Sequence, residues 1–156
     1  MALTKVQSEM AGAGQVLQVV NAVYGTYTTL ASSTYTDTGL TASITPKSST
    51  SKILVQVTIA GAGRGNQSVS NALFLRLLRN GSAIVYIDES LGYTGTTISQ
   101  NASSSFSYLD SPATTSSTTY NIQMANYNNG STVWINNYSA NAGRSNSTLT
   151  LWEIAQ

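Results

Sequence analysis

The sequence contains no cysteine and no histidine. Without thiols there is no disulfide, no thiolate nucleophile and no thiolate metal site. Without imidazole the commonest ligand for zinc or copper is missing, and so is the usual general base near neutral pH. Charge is scarce as well. Seven Lys and Arg against six Asp and Glu leave a formal net charge of +1, and charged residues are 8% of the 156. No Lys/Arg cluster concentrates them, which argues against long-range steering of nucleic acid or of an anionic membrane. No apolar run is long enough to span a bilayer, so no membrane insertion is expected. The opening "MALTKVQSEMAGAG" lacks the basic-then-apolar order of a secretory signal, and synthesis in a cytoplasm is expected. A fold without staples needs another source of stability, and burial between subunits is one.

In place of charge the chain carries Ser, Thr, Asn and Gly in abundance, with nine Tyr and two Trp. Thr and Tyr favour strands, whereas Ser, Asn and Gly favour turns. Regular apolar strips interrupt the polar runs, which points to packing instead of disorder. Residues 1–14 lack strand alternation: Leu3, Val6 and Met10 are spaced as on a short helix, followed by the flexible joint "AGAG". This segment reads either as a frayed terminus or as a docking arm.

From Gln15 the pattern is strand after strand. "QVLQVVNAVY" is one, and "TYTTLASSTYTDTGLTASITP" supplies two more. Leu40, Ala42 and Ile44 alternate with polar neighbours, the mark of a half-buried strand, and Pro46 closes it. "KILVQVTIA" places Ile53, Val55, Val57 and Ile59 on one face. "TTISQ", "SSSFSYLD", "STTYNIQMAN", "STVWINNYSA" and "STLTLWEIA" follow; in the last, Leu149, Leu151 and Glu153 share a face opposite Thr150, Trp152 and Ile154. Many short strands joined by Gly/Asn/Ser turns predict an antiparallel β-sandwich or barrel.

One stretch, "LFLRLLRNGSAIVYIDES" (residues 73–90), has a helical composition at its start but Asn80-Gly81 in its middle. That dipeptide is the strongest short-range signal for a two-residue hairpin, and the β-branched run after it agrees. The hairpin sets Arg79 against Ser82, Leu78 against Ala83, Leu77 against Ile84 and Arg76 against Val85. Leu73, Leu75 and Leu77 then share one face, and Phe74, Arg76 and Leu78 the other. Both faces are greasy, which predicts that a second subunit covers the outer one.

The motifs "SITPKSSTSKILV", "LRLLRNGSAI" and "TLTLWEIA", standing in this order, resemble the C-terminal head domains of tail fibres and related virion surface proteins of tailed phages, marine and cyanobacterial ones especially. The likeness runs from "GQVLQVV" to the end, and "MALTKV" is similar to the start of many phage fibre proteins. It implies a jelly-roll-like β-sandwich at 15–156, assembled as a homotrimer, with a 1–14 arm that attaches it to other virion proteins through Leu3, Val6 and Met10. It implies a tail-fibre-type head in the virion, synthesised in the host cytoplasm, that contacts host-surface polysaccharide. The chain has no repetitive shaft, which keeps a capsid decoration (cement) protein or a baseplate position as alternatives. Candidate trimer contacts are Phe74, Leu78 and Trp152.

"IAGAGRGN" has glycines at 61, 63 and 65, not the spacing of a dinucleotide loop, and no helix follows; a mobile loop between strands is expected. Asp88 and Glu89 are adjacent and so point to opposite faces of a strand, poor geometry for a glycosidase pair. Depolymerase activity therefore ranks last, and no catalytic residue, cofactor or metal is expected. Three loops combine Tyr with Ser, Gly and Asn, the chemistry of adaptable recognition surfaces. Tyr93, Tyr127, Asn128, Tyr138 and Arg144 are the candidate receptor contacts; the competing reading makes these tyrosines plugs at the ends of the sandwich. Trp134 and Trp152 are expected to pack, each indole N–H needing a partner.

Overall fold

The computed structural model describes residues 12–129, 131–137 and 145–156; Leu3, Val6, Met10, Tyr138 and Arg144 lie outside them. Among the described residues there is no helix. The strands are β1 (Val16–Tyr24), β2 (Thr28–Leu30), β3 (Thr36–Ile44), β4 (Lys52–Arg64), β5 (Leu73–Arg79), β6 (Ser82–Leu91), β7 (Gln100–Asp110), β8 (Thr118–Asn126), β9 (Val133–Ile135) and β10 (Ser147–Ile154).

The long strands pair outermost with outermost. β1 lies on β10, β3 on β8, β4 on β7 and β5 on β6, all antiparallel. The chain is thus one extended hairpin with its tip at Asn80 and Gly81, wrapped so that β10 also meets β4 and β8 also meets β5. Wrapping divides it into a six-stranded sheet, in which the short β2 and β9 extend one end, and a four-stranded sheet ordered β3-β8-β5-β6. Two facing antiparallel sheets with this order make a jelly-roll sandwich.

Period-two patterning fills the space between the sheets. Ile53, Val55, Val57 and Ile59 of β4 are buried, as are Leu73, Leu75 and Leu77 of β5 and Leu149 and Leu151 of β10. Glu153 also faces inward, where its carboxylate accepts from Gln18 Nε2 at 2.6 Å and from the Lys47 amide at 2.7 Å. Burying a carboxylate is costly unless donors meet it, and two do.

Several expectations need correction. The hairpin turn forms as predicted, with positive φ at both Asn80 (49°) and Gly81 (82°), the requirement of a type I′ turn. Its register does not persist. An irregularity between Leu77 and Leu78 sets Leu77 against Val85 and Arg76 against Tyr86. Part of the hairpin's outer face is covered within the single chain. Phe74 packs against the Tyr127 ring at 5.8 Å, the Arg76 guanidinium lies 3.9 Å from the centre of the Tyr35 ring, and Leu78 is buried within the single chain. Aromatic side chains from the connecting segments supply the cover. Leu78 accordingly has almost no surface to offer a partner, at 3% exposed.

"IAGAGRGN" is not a mobile loop at its start: β4 continues through it to Arg64. Gly61 takes φ +53° at a register break, and a Cβ there would sit 2.7 Å from the Asn137 carbonyl oxygen. "TTISQ" is not a strand; only Gln100 belongs to one. Thr94 Oγ1 and the Thr96 carbonyl bond the Arg64 guanidinium, so this backbone serves a side chain instead of a ladder. Residues 12–15 form a hydrogen-bonded turn, with the Gln15 amide on the Gly12 carbonyl and the Gly14 amide on the Ala155 carbonyl at 2.8 Å.

The outer face of the larger sheet carries an apolar row. Val19 pairs with Trp152, Trp152 with Leu54, and Leu54 with Leu109, so four side chains cross four strands in line. Val19 and Leu109 are about half exposed, and Trp152 Nε1, buried, has no partner among the described residues. The next row, Asn21, Thr150, Gln56 and Ser107, is polar.

Candidate functional site

Register decides what lies at each end of the sandwich. Gly14 bonds Ala155, Val16 pairs with Ile154, and Ile154 with Lys52. Asp110, beside Ile53, bonds Arg79 next to the hairpin tip. These residues mark one end. At the other, Leu73 pairs with both Asn126 and Leu91, gathering the start of β5 with the ends of β6 and β8. The described chain therefore begins at the end opposite to these converging loops.

Where the three strands meet, Ser70, Ala72, Phe74, Glu89, Ser90, Tyr93 and Tyr127 line an open cleft of about 280 Å³. Phe74 and Tyr127 form a tilted pair with an interplanar angle of 57°. Tyr93 and Tyr127 keep 57% and 62% of their surface exposed, so aromatic faces remain available beside the Glu89 carboxylate. Among the described residues no other charged side chain lines the cleft.

Buried polar groups hold the loops in place. Asn126, 1% exposed, accepts from the amides of Ala72 and Asn128 through Oδ1 and donates to the Ser131 carbonyl at 2.7 Å. The Tyr127 amide bonds the Ala72 carbonyl at 3.1 Å. Asn128 donates to Ser68 Oγ at 2.8 Å. Gly92, at φ +80°, lets the Tyr93 amide close on the Ser90 carbonyl at 2.9 Å.

Arg64 is the second fastener. It is fully buried, and its two terminal nitrogens donate to the carbonyls of Ser68 (3.0 Å), Asn71 (3.1 Å) and Thr96 (2.5 Å) and to the Thr94 hydroxyl. Among the described residues no carboxylate pairs with it. A guanidinium cannot shed its proton, so it must recruit carbonyl dipoles. In doing so it ties the segment before β5 to the segment after β6, both of which wall the cleft. Asn71 adds bonds from Nδ2 to the carbonyls of Gly65 and Thr132.

Of the candidate contacts, the cleft brings together Tyr93 and Tyr127; Asn128 supports it. Phe74, expected at a subunit contact, is a wall of the cleft, while Trp152 lies on the other sheet. Trp134 packs as expected and donates to Asn101 Oδ1 at 2.9 Å. Asp88, within β6, accepts from the Ser90 amide two residues on. Arg64, Asn71 and Asn126 were not legible as supports. Strict alternation from Ile59 would turn Arg64 outward, and the break between Ile59 and Ala62 reverses it.

An antiparallel jelly-roll sandwich with an aromatic cleft at one end is the class that fold and site define. The chain matches no protein-family model and no curated protein. Solved structures do match it. The VP2 subviral particle protein of infectious bursal disease virus is similar over the whole of this chain with a TM-score of 0.50 at 10% identity. Structures of the Gx and Gt strains of that virus give 0.48 at 11% and 0.47 at 10%. This chain spans about 42% of the length of the first of these proteins. The likeness is one of fold.

Proposed function

We propose that this chain is a non-enzymatic structural protein of a virus particle, a tail-fibre-type head of a tailed phage that is carried by its N-terminal arm and touches host glycan with the cleft end. The observation that carries the reading is the convergence of Phe74, Tyr93 and Tyr127 on an open cleft at the end opposite to residue 12. Aromatic faces beside hydroxyl groups suit a sugar, whose apolar face stacks while its hydroxyls bond. Among the described residues the cleft holds one carboxylate, and a glycosidase needs an acid and base pair. The jelly-roll likeness to a viral particle protein agrees with a place in a virion.

A homotrimer belongs to this proposal, because three weak clefts on one particle would act with avidity. The surface that suits it is the row Val19, Trp152, Leu54 and Leu109, and not the hairpin. That same row favours a second reading, a decoration protein that clamps capsid subunits. Competition of the purified protein with phage adsorption to host cells tests the first reading, and binding to undecorated capsids tests the second. Tyr127→Ala should abolish competition and leave capsid binding alone, whereas Leu109→Lys should abolish capsid binding, reduce the trimer to monomers in light scattering and weaken competition through the lost avidity. A Tyr127→Ala protein that competes normally refutes the cleft as the contact.

A further inference from the structure

The cleft is built for more than a neutral sugar. Among the described residues its lining has three aromatic rings and one carboxylate, with no cation. The guanidiniums on nearby strands are already committed. Arg64 is bonded to the carbonyls of Ser68, Asn71 and Thr96, and Arg76 is stacked on Tyr35 and bonded through Nε and Nη2 to Gln123 Oε1. Asp37, a carboxylate on the same face of this sheet, accepts from Gln123 and Asn121. Glu89, by contrast, is exposed and makes no ion pair among the described residues.

Aromatic faces carry negative potential and attract cations, and a free carboxylate beside them adds to that field. An ammonium set against the tilted Phe74 and Tyr127 rings would meet ring faces and Glu89 together. An acidic sugar would meet only like charge.

We infer that the cleft recognises a saccharide bearing an unacetylated amine, the sugar ring stacked on Tyr127 and Tyr93 and its ammonium paired with Glu89. This rests on the cleft being the glycan contact, and names the class of glycan.

The test is calorimetric titration of the full chain with a glucosamine trimer and with its N-acetylated counterpart, at a pH between the carboxylate and amine ranges. The two probes share a backbone and differ in charge. The amine form should bind about fivefold tighter, the scale of an exposed cation–π contact plus a solvent-facing ion pair. Glu89→Gln should cut that preference to about twofold, the share of the cation–π contact, and an undiminished fivefold preference would overturn the pairing with Glu89. Tyr127→Ala should weaken both by about tenfold. Both residues are exposed, and unchanged melting temperatures would show that the variants fold.

Equal affinity for the two trimers, or tighter binding of the acetylated one, overturns the amine assignment; if Tyr127→Ala still weakens both, the cleft remains the glycan contact. Binding of neither trimer at millimolar concentration also overturns the assignment, and the cleft reading then stands or falls on the adsorption assay. A lysine-rich peptide that binds as tightly as the glucosamine trimer would overturn the saccharide half of the inference.

Discussion

The Tyr120 hydroxyl donates to Asp110 Oδ2 at 2.7 Å, and both oxygens of that carboxylate accept from Arg79 Nη1 at 2.9 Å. Tyr120 and Asp110 are buried, so a phenol from the smaller sheet is fastened to a charge at the end of the larger one. Burial, and after it the bond to Asp110, raises the Tyr120 phenol well above its ordinary range. In the unfolded chain it ionises near pH 10. A raised folded value means that its contribution is fully present below about pH 10 and declines as pH rises beyond it. Tyr120→Phe should cost about 1–2 kcal/mol at neutral pH. It should also make the alkaline fall in urea midpoint shallower than in the parent; parallel falls would refute this.

Arg64 should matter out of proportion to its single charge. Arg64→Met removes the guanidinium donor from the carbonyls of Ser68, Asn71 and Thr96. A loss of about 2 kcal/mol is expected: the buried Asn71 carbonyl is orphaned, while the carbonyls of Ser68 and Thr96 keep only their longer bonds from the Asn71 amide and the Thr94 hydroxyl. Hydrogen exchange should accelerate in residues 65–72 and 92–99 while β10 stays protected. Uniform acceleration across all strands would mean that Arg64 stabilises the whole sandwich and not the cleft walls.

Gly81 and Gly61 both take positive φ, at 82° and 53°, yet they should respond differently to alanine. A Cβ on Gly81 meets nothing, so Gly81→Ala should lose only the conformational term of about 1–2 kcal/mol. A Cβ on Gly61 would collide with the Asn137 backbone at 2.7–2.8 Å. Adding overpacking to the same strain predicts at least about 3 kcal/mol. Equal denaturation midpoints would show that the approach of Asn137 to β4 is dispensable.

Leu75 and Leu77 lie at the centre of the core and are fully buried. Leu75→Asp or Leu77→Asp would bury an unpaired charge and should prevent soluble folding. Leu77→Ala should fold and lose about 2–5 kcal/mol in chemical denaturation. A stable, monodisperse Leu75→Asp protein would refute the core assignment.

How far the sequence reaches depends on whether the signal is local. Alternation places Ile53, Val55, Val57, Leu149 and Leu151 in the core because neighbouring side chains on a strand point to opposite faces. Asn80-Gly81 specifies its turn because few other pairs tolerate two positive φ angles. Composition singles out the loops of Tyr93 and Tyr127, where rings sit among Ser, Gly and Asn. It gives no sign that Phe74 and Glu89 stand beside them, because those residues arrive on strands that meet only when the long hairpin wraps.

The bare sequence determined that this protein would be a cysteine-free assembly of antiparallel strands, where the hairpin turns, and which residues of each long strand face inward. Those properties follow from backbone geometry within a few residues. Tertiary structure alone decided the inward turn of Arg64, the covering of part of the hairpin's outer face by Tyr35 and Tyr127, and the apolar row of Val19, Trp152, Leu54 and Leu109. Each depends on a one-residue register break or on strands distant in the chain becoming neighbours, and neither leaves a mark on the local pattern.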